Sequence, residues 1–164
     1  MAKTSKSNAE SGGGSLTDGK KAPDFNLIDD SGAAVKLSAL QGRKVVLYFY
    51  PKDDTPGCTK EACSFRDGFK EIQKKGAIVL GVSPDSVESH KKFKEKFHLN
   101  FPLLSDEDKK VVNAYHVWKE KSLYGRKYMG VERTTFVIDE NGKIKKVFPK
   151  VKVDGHYEEV IAEL

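Results

Sequence analysis

The chain has 164 residues, of which 38% are hydrophobic and 32% charged, as expected for one globular domain with its own core. No apolar run approaches the roughly 20 residues of a membrane span, and a net charge of +5 spread over a mixed-sign surface argues against nucleic-acid binding. Two cysteines do not make a secreted disulfide scaffold and the chain start lacks a secretory signal, so we expect a cytoplasmic protein, with an organelle left open.

The beginning of the chain differs in composition from the rest. Residues 1–21 are rich in Ser, Gly and Lys and show no hydrophobic periodicity. This composition predicts a disordered tail or linker over residues 1–21. Neither an internal repeat nor a second domain boundary is visible downstream, so residues 22–164 are predicted to form one domain.

Strands and helices are predicted to alternate along this domain. Runs of β-branched and aromatic residues predict strands at 25–28, 34–37, 45–50, 77–82, 101–104, 134–139 and 144–148. Amphipathic periodicity and helix-end signals predict helices at 59–75, 86–97, 106–116 and 155–164. Turn residues join the first two strands and the last two strands into hairpins. This order predicts an α/β protein built on a layered sheet.

Cys58 lies at the start of a predicted helix, directly after a buried strand and a short loop. The first N–H groups of a helix have no intrahelical acceptor, and the helix dipole adds partial positive charge there. Both favour a thiolate, which is the nucleophilic form of cysteine. The alternative is a small buried hydrophobe. The helix face that supports this alternative consists of Cys58, Ala62, Phe65, Phe69 and Ile72.

Cys63 is the only other cysteine in the chain. It is either a chance surface residue or the redox partner of Cys58. In a continuous helix, Cα atoms five residues apart are separated by about 8.6 Å, whereas a disulfide requires no more than about 7 Å. A disulfide between the two would therefore require the helix to unwind, which favours a conformational redox cycle over a static bridge.

The segment that contains both cysteines resembles a known family. The pattern Pro51-x-x-x-Thr55-x-x-Cys58 resembles the active-site signature of peroxiredoxins. The wider stretch 48–59 and the spacing from Cys58 to Cys63 are similar to the bacterioferritin-comigratory, or Q, subfamily. Further matching motifs lie at 81–86, 124–126, 132–139 and 150–156, so that the resemblance covers about residues 20–164.

The resemblance implies a thioredoxin-like fold, with a central mixed β-sheet flanked by helices and an N-terminal β-hairpin. It implies a thiol-dependent peroxidase in which Cys58 reduces hydrogen peroxide or an organic hydroperoxide and becomes a sulfenic acid. Cys63 would resolve the sulfenic acid as an intramolecular disulfide, and thioredoxin, or alternatively glutaredoxin, would reduce that disulfide. The family chemistry needs no cofactor and no metal, and we expect a monomer.

The resemblance also implies roles for single residues, which follow from their positions in the family motif. Thr55 would hydrogen-bond the peroxide, and Arg133 would lie beside the Cys58 sulfur and stabilise its thiolate. Pro51 would shield the pocket, and Gly57 is placed among the residues that support it.

Three features near the site have more than one interpretation. Glu61 follows Cys58 by one helical turn and either orients Arg133 or is a capping or surface carboxylate. Tyr50 is either a wall of the pocket or a core residue. The stretch around Trp118 and Tyr124, where aromatic residues lie among basic ones, is either a nucleic-acid-binding face or, as we expect, a loop near the active site.

The two cysteines are also compatible with other kinds of protein. A thioredoxin-type thiol–disulfide oxidoreductase would usually carry Cys-x-x-Cys, which the chain lacks. A redox-switched holdase or sensor is left open, because helix unwinding would expose apolar surface. The histidines show no zinc-site spacing with the cysteines, and they are His90, His98, His116 and His156.

Overall fold

The computed structural model describes residues 16–164. The first part of the predicted tail, residues 1–15, lies outside this range. The rest of that tail contacts the domain: the N–H of Gly19 donates to the carbonyl of Ile144 at 2.7 Å, and Leu16 packs against the core. These contacts extend the ordered region into residues that composition alone assigns to the tail.

Strands and helices alternate along the described chain. The strands are β1 (Asn26–Asp29), β2 (Ala34–Lys36), β3 (Lys44–Phe49), β4 (Ala77–Ser83), β5 (Leu103–Ser105), β6 (Trp118–Leu123), β7 (Arg126–Val131), β8 (Thr134–Ile138) and β9 (Ile144–Phe148). The helices are α1 (Pro56–Asp67), α2 (Phe69–Lys74), α3 (Val87–Phe97), α4 (Lys110–Ala114) and α5 (His156–Ala162). A 3₁₀ turn, Leu37–Leu40, follows β2. In the described range, no helix has both the length and the apolar character that crossing a bilayer requires.

Seven strands form one mixed sheet in the order β2-β1-β5-β4-β3-β8-β9. Strand β3 is parallel to β4 and antiparallel to β8, and β1 and β2 form the predicted N-terminal hairpin. Alternate β3 residues serve two cores: Val45, Leu47 and Phe49 pack on the side of α4, whereas Val46 and Tyr48 pack on the side of the other four helices. Because β3 is buried on both faces, it has a continuous apolar sequence. The predicted α/β sheet with flanking helices is confirmed.

The helix predicted over residues 59–75 is wrong as a single element. The observed helical segment begins earlier, at Pro56, and Gly68 divides it into α1 and α2. Tyr157 of α5 contacts the chain at this division, and its hydroxyl donates to the Gly68 carbonyl at 3.1 Å. A Cβ at this position would lie 2.0 Å from the Tyr157 ring, so only glycine permits the contact. Periodicity along one segment cannot reveal an intrusion from a distant helix.

The loop predicted around Trp118 and Tyr124 is also wrong. Strands β6 and β7 form a separate antiparallel hairpin. Tyr124 and Gly125 occupy its turn with φ of 51° and 77°, the left-handed pair that two-residue hairpins favour. Most of the hairpin side chains are exposed, so the strands lack the alternation of apolar and polar residues by which strands are recognised.

Candidate active site

Cys58 lies in the first turn of α1, just beyond the loop that follows β3. Pro56 occupies the first helical position, where its fixed φ suits the helix and its missing N–H costs nothing. Thr55 is the N-cap, and its carbonyl accepts a hydrogen bond from the N–H of Thr59 at 2.8 Å. Cys58 is only 1% exposed, so its sulfur sits in a largely dry site near the positive end of the helix.

Arg133 brings a fixed positive charge to this sulfur. It lies between β7 and β8, and its Nη2 donates to the Cys58 Sγ at 3.3 Å. Its Nη1 donates to Glu61 Oε1 at 2.7 Å, so the guanidinium joins the thiol to a carboxylate. A Cβ on Gly57 would lie 3.2 Å from Nη2, so the glycine leaves room for this approach. The arrangement places a fixed positive charge and a hydrogen-bond donor beside the sulfur.

Glu61 lies inside the protein and not at its surface. It is fully buried in α1, and its Oε2 has no hydrogen-bond partner among the described residues. Burial raises the pKa of Glu61 to about 7, while the neighbouring Arg133 opposes this rise. Burial disfavours the charged form of Arg133, but Glu61 and Cys58 outweigh it, and the net effect raises the Arg133 pKa. The buried Glu61 carboxylate therefore holds the Arg133 guanidinium in a fixed orientation.

Glu61→Gln is expected to change how folding stability depends on pH. The pKa of Glu61 is about 7 in the folded protein, against an ordinary value of 4.5. Between these values the folded state binds more protons than the unfolded state, so stability from Glu61 is present at low pH and is lost as pH rises through this window. The measured quantity is the difference in unfolding free energy between the parent protein and the Glu61→Gln variant. This difference should fall by about 3 kcal/mol as pH rises from 4.5 to about 7.

Urea unfolding at several pH values checks this expectation. Both the parent and the variant should carry Cys58→Ser, so that oxidation of this thiol does not interfere with the unfolding measurement. Glu95→Gln, on the exposed side of α3, is the matched control and should show no such trend. Parallel curves of stability against pH for the parent and the Glu61→Gln variant would contradict the burial argument.

Thr55 and Pro51 lie in the loop between β3 and α1, and both are half-buried. The Thr55 hydroxyl donates to the carbonyl of Lys52 at 3.0 Å. This bond fixes the hydroxyl hydrogen and leaves the oxygen lone pairs free to accept a hydrogen bond from a ligand. Both residues therefore stand at the entrance to the helix that carries Cys58.

Cys63 lies in the same helix and is partly exposed. Both cysteines are free thiols, and α1 is continuous across them. Five residues of intact helix separate their Cα atoms by about 8.6 Å, beyond the limit of about 7 Å for a disulfide. The structure thus describes the reduced state, with Glu61 between the two cysteines.

Tyr50 belongs to the core and not to the wall of the pocket. It is 1% exposed, and its hydroxyl donates to Asp53 Oδ1 at 2.6 Å. The same hydroxyl lies 3.4 Å from His90 Nδ1. Tyr50 therefore faces a second group of buried polar residues, which sequence reasoning did not identify because Asp53 and His90 are far apart in the chain.

The hairpin of β6 and β7 contributes a further side chain that the sequence did not single out. Lys121 is partly buried, and burial together with the charge of Arg133 lowers its pKa, while Cys58 and Glu132 oppose the shift. Nothing in the sequence distinguishes Lys121 from the other lysines. Only the fold brings its charge near the sulfur.

Comparison with known proteins identifies relatives over nearly the whole chain. Residues 19–147 match the AhpC/TSA family. A putative peroxiredoxin bcp of Coxiella burnetii is 56% identical over 150 residues, which cover 92% of this chain and 99% of that protein. Peroxiredoxin Bcp of Bacillus subtilis is 52% identical over 146 residues, which cover 89% of this chain and 93% of that protein.

Solved structures show the same architecture. The bacterioferritin comigratory protein of Xanthomonas campestris has a TM-score of 0.81 at 43% identity, over 84% of this chain and 88% of that one. A mutant of Xylella fastidiosa PrxQ has a TM-score of 0.87 at 37% identity, over 92% of this chain and 96% of that one. The fold is the thioredoxin-like fold of peroxiredoxins. The chain therefore belongs to the AhpC/TSA family and, within it, to the peroxiredoxins of the Bcp, or PrxQ, group.

Proposed function

We propose that this peroxiredoxin uses Cys58 to reduce hydrogen peroxide and organic hydroperoxides, with Cys63 as the resolving cysteine and thioredoxin as the reductant. The contact of 3.3 Å between Arg133 Nη2 and Cys58 Sγ, at a helix N-terminus, carries the proposal. The Xanthomonas campestris relative has alkyl peroxide reduction activity, which supports organic hydroperoxides as substrates. A monomer in the cytoplasm belongs to the same proposal.

The first step is a displacement at oxygen. The Cys58 thiolate attacks one peroxide oxygen, an S–O bond forms, and the O–O bond breaks. The attacked oxygen keeps its hydrogen and Cys58 becomes a sulfenic acid, while the leaving oxygen takes the electron pair and a proton from solvent, which replaces the one that the thiol released, and departs as water or an alcohol. Arg133 and the helix N–H groups stand where the negative charge develops, and such placed donors lower the barrier. Thr55 would accept the peroxide O–H through its free lone pairs.

The second step joins the two cysteines. The Cys63 thiol attacks the Cys58 sulfenic acid, an S–S bond forms and water leaves. Because intact α1 holds the cysteines too far apart, this step requires residues 58–63 to unwind. A dithiol such as thioredoxin then reduces the disulfide by thiol exchange and restores the helix, and glutaredoxin is the alternative reductant.

Cys63→Ser tests this division of roles. Oxidation of Cys58 needs only peroxide and the local donors, so one equivalent of peroxide should still produce a sulfenic acid, detectable by dimedone labelling and mass. NADPH consumption through thioredoxin and its reductase should fall to near zero, because no intramolecular disulfide forms. Overoxidation to the sulfinic acid should rise, since the sulfenic acid persists.

The neighbouring change Ser64→Ala is the control, and it should leave thioredoxin-dependent turnover unchanged. The assay should contain thioredoxin and no other thiol, because a small thiol can replace the resolving cysteine. Wild-type turnover of the Cys63→Ser protein under these conditions would show that Cys63 does not resolve Cys58.

A further inference from the structure

A group of buried and half-buried polar side chains lies beneath the loop that leads to Cys58, and we call it the anchor cluster. Its members come from the loop after β3, the end of β4, the loop after β4, and α3, and they are Tyr50, Asp53, Ser83, Asp85, Ser89 and His90. At its centre, Asp53 Oδ2 lies 2.7 Å from His90 Nδ1 and 2.8 Å from Ser89 Oγ. Asp53 and His90 are 7% and 0% exposed. The proposed peroxide chemistry gives this cluster no role.

The hydrogen bonds of His90 place its protons. Its Nε2 lies 2.9 Å from the carbonyl oxygen of Leu104, which can only accept, so Nε2 carries a hydrogen. Its Nδ1 faces a carboxylate oxygen at 2.7 Å, so a proton must also lie between Nδ1 and Asp53. The two residues therefore form a buried, proton-sharing pair that ties the loop to α3 and to β5.

Asp53, Asp85 and His90 also have the residue types of a metal site, but their geometry does not suit one. Two ligands of one tetrahedral zinc, each at about 2.0 Å, lie about 3.3 Å apart. The 2.7 Å between Nδ1 and Oδ2 is instead a hydrogen-bond distance. Asp85 Oδ2 is likewise occupied, since it accepts from the Asp53 N–H at 2.8 Å and from Ser83 Oγ at 2.6 Å.

A buried ion pair contributes little net folding stability, because desolvation of the two charges offsets much of their attraction. The position of this pair in the chain suggests that it has a different role. Asp54, the next residue, adopts φ of 57°, a left-handed conformation that Asp adopts more readily than most residues other than glycine. Its carboxylate accepts from Lys96 of α3 at 2.8 Å. Asp53 and Asp54 therefore both attach this part of the loop to α3.

The residue after Asp54 is Thr55. Cys58 is held separately, through Arg133 and Glu61. We propose that the Asp53–His90 pair positions Thr55 for the peroxide, while Arg133 and Glu61 independently hold the sulfur. This inference rests on the proposed function. It makes Asp53 and His90 positioning residues, which act on peroxide through Thr55 and not on the reactivity of the thiol.

The proposal predicts that loss of the pair slows the reaction of Cys58 with peroxide but not its reaction with an alkylating agent. In Asp53→Ala the second-order rate with hydrogen peroxide should fall about 10- to 100-fold, since a displacement of about 1 Å in a positioned group can cost this much. Alkylation of Cys58 by iodoacetamide, which needs no Thr55, should stay within about two-fold of wild type, with an unchanged pH profile. All proteins should carry Cys63→Ser, so that only Cys58 reacts.

Asp53→Asn should restore the peroxide rate. An amide can accept from the Tyr50 hydroxyl and donate to a neutral His90, which keeps its Nε2 hydrogen on the Leu104 carbonyl. His90→Gln removes the other member of the pair. Like Asp53→Ala, it should slow the reaction with peroxide and leave the alkylation of Cys58 unchanged. In a Thr55→Val background, Asp53→Ala should have no further effect on the peroxide rate, because the residue that it positions is already lost.

Asp30→Ala is the matched control for a lost buried carboxylate. Asp30 is 8% exposed and accepts from the N–H of Leu103 and from Lys94, away from the loop. This variant should be destabilised but should keep the wild-type peroxide rate. A wild-type peroxide rate in both Asp53→Ala and His90→Gln, an equal loss in both reactions, or additive effects of Asp53→Ala and Thr55→Val would overturn the proposal. Failure of the proposed function would look different, because the parent protein itself would not reduce peroxide.

Discussion

Cys58→Ser is expected to abolish peroxide reduction while the protein stays folded. Serine is close in size to cysteine, so the buried position in α1 can accept it. Its hydroxyl is a far weaker nucleophile than a thiolate, and neither Arg133 nor the helix N-terminus can compensate. Peroxide-dependent NADPH oxidation with thioredoxin and its reductase measures the loss, and circular dichroism checks the fold.

The control for this change lies within the same helix. The Cys58→Ser protein retains Cys63, so any turnover that remains belongs to the second cysteine. Turnover near that of wild type would falsify the assignment of Cys58 as the residue that attacks peroxide. Unlike Cys63→Ser, this change should also abolish the reduction of a single equivalent of peroxide.

Arg133→Ala is expected to lower the rate of Cys58 oxidation by about 10² to 10³, the usual cost of removing one donor aimed at developing charge. The side chain is 16% exposed and contacts both Cys58 and Glu61, so its loss also leaves a buried carboxylate without its partner. Rapid mixing with peroxide under single-turnover conditions measures the rate. Thr55→Val should reduce the same rate without disturbing Glu61.

Two controls sharpen the result for Arg133. Arg133→Lys keeps the charge but lacks the two-pronged geometry that joins Glu61 to the sulfur, so it should remain well below wild type. Arg43→Ala removes an exposed arginine outside the site and should have no effect. A wild-type rate in Arg133→Ala would show that the contact at 3.3 Å contributes nothing to the transition state.

Local sequence was sufficient for much of the fold. Strand β3 is an unbroken apolar run because both of its faces are covered, and the predicted strand at 45–50 differs from β3 by one residue at each end. The start of α1 is also local, because proline at the first helical position and free N–H groups are properties of the segment itself. For the same reason, the position of Cys58 at a helix N-terminus follows from the sequence.

Contacts between distant segments were decided only by the tertiary structure. Spacing places Glu61 one turn after Cys58, but it does not say whether that side of the helix faces water or Arg133, which is 72 residues further along the chain. The contact of Tyr157 with Gly68 joins two distant helices, and the anchor cluster depends on the meeting of the loop with α3. Propensity and periodicity report the preferences of one segment, whereas these features arise where the sheet and its helices bring separate segments within hydrogen-bonding distance.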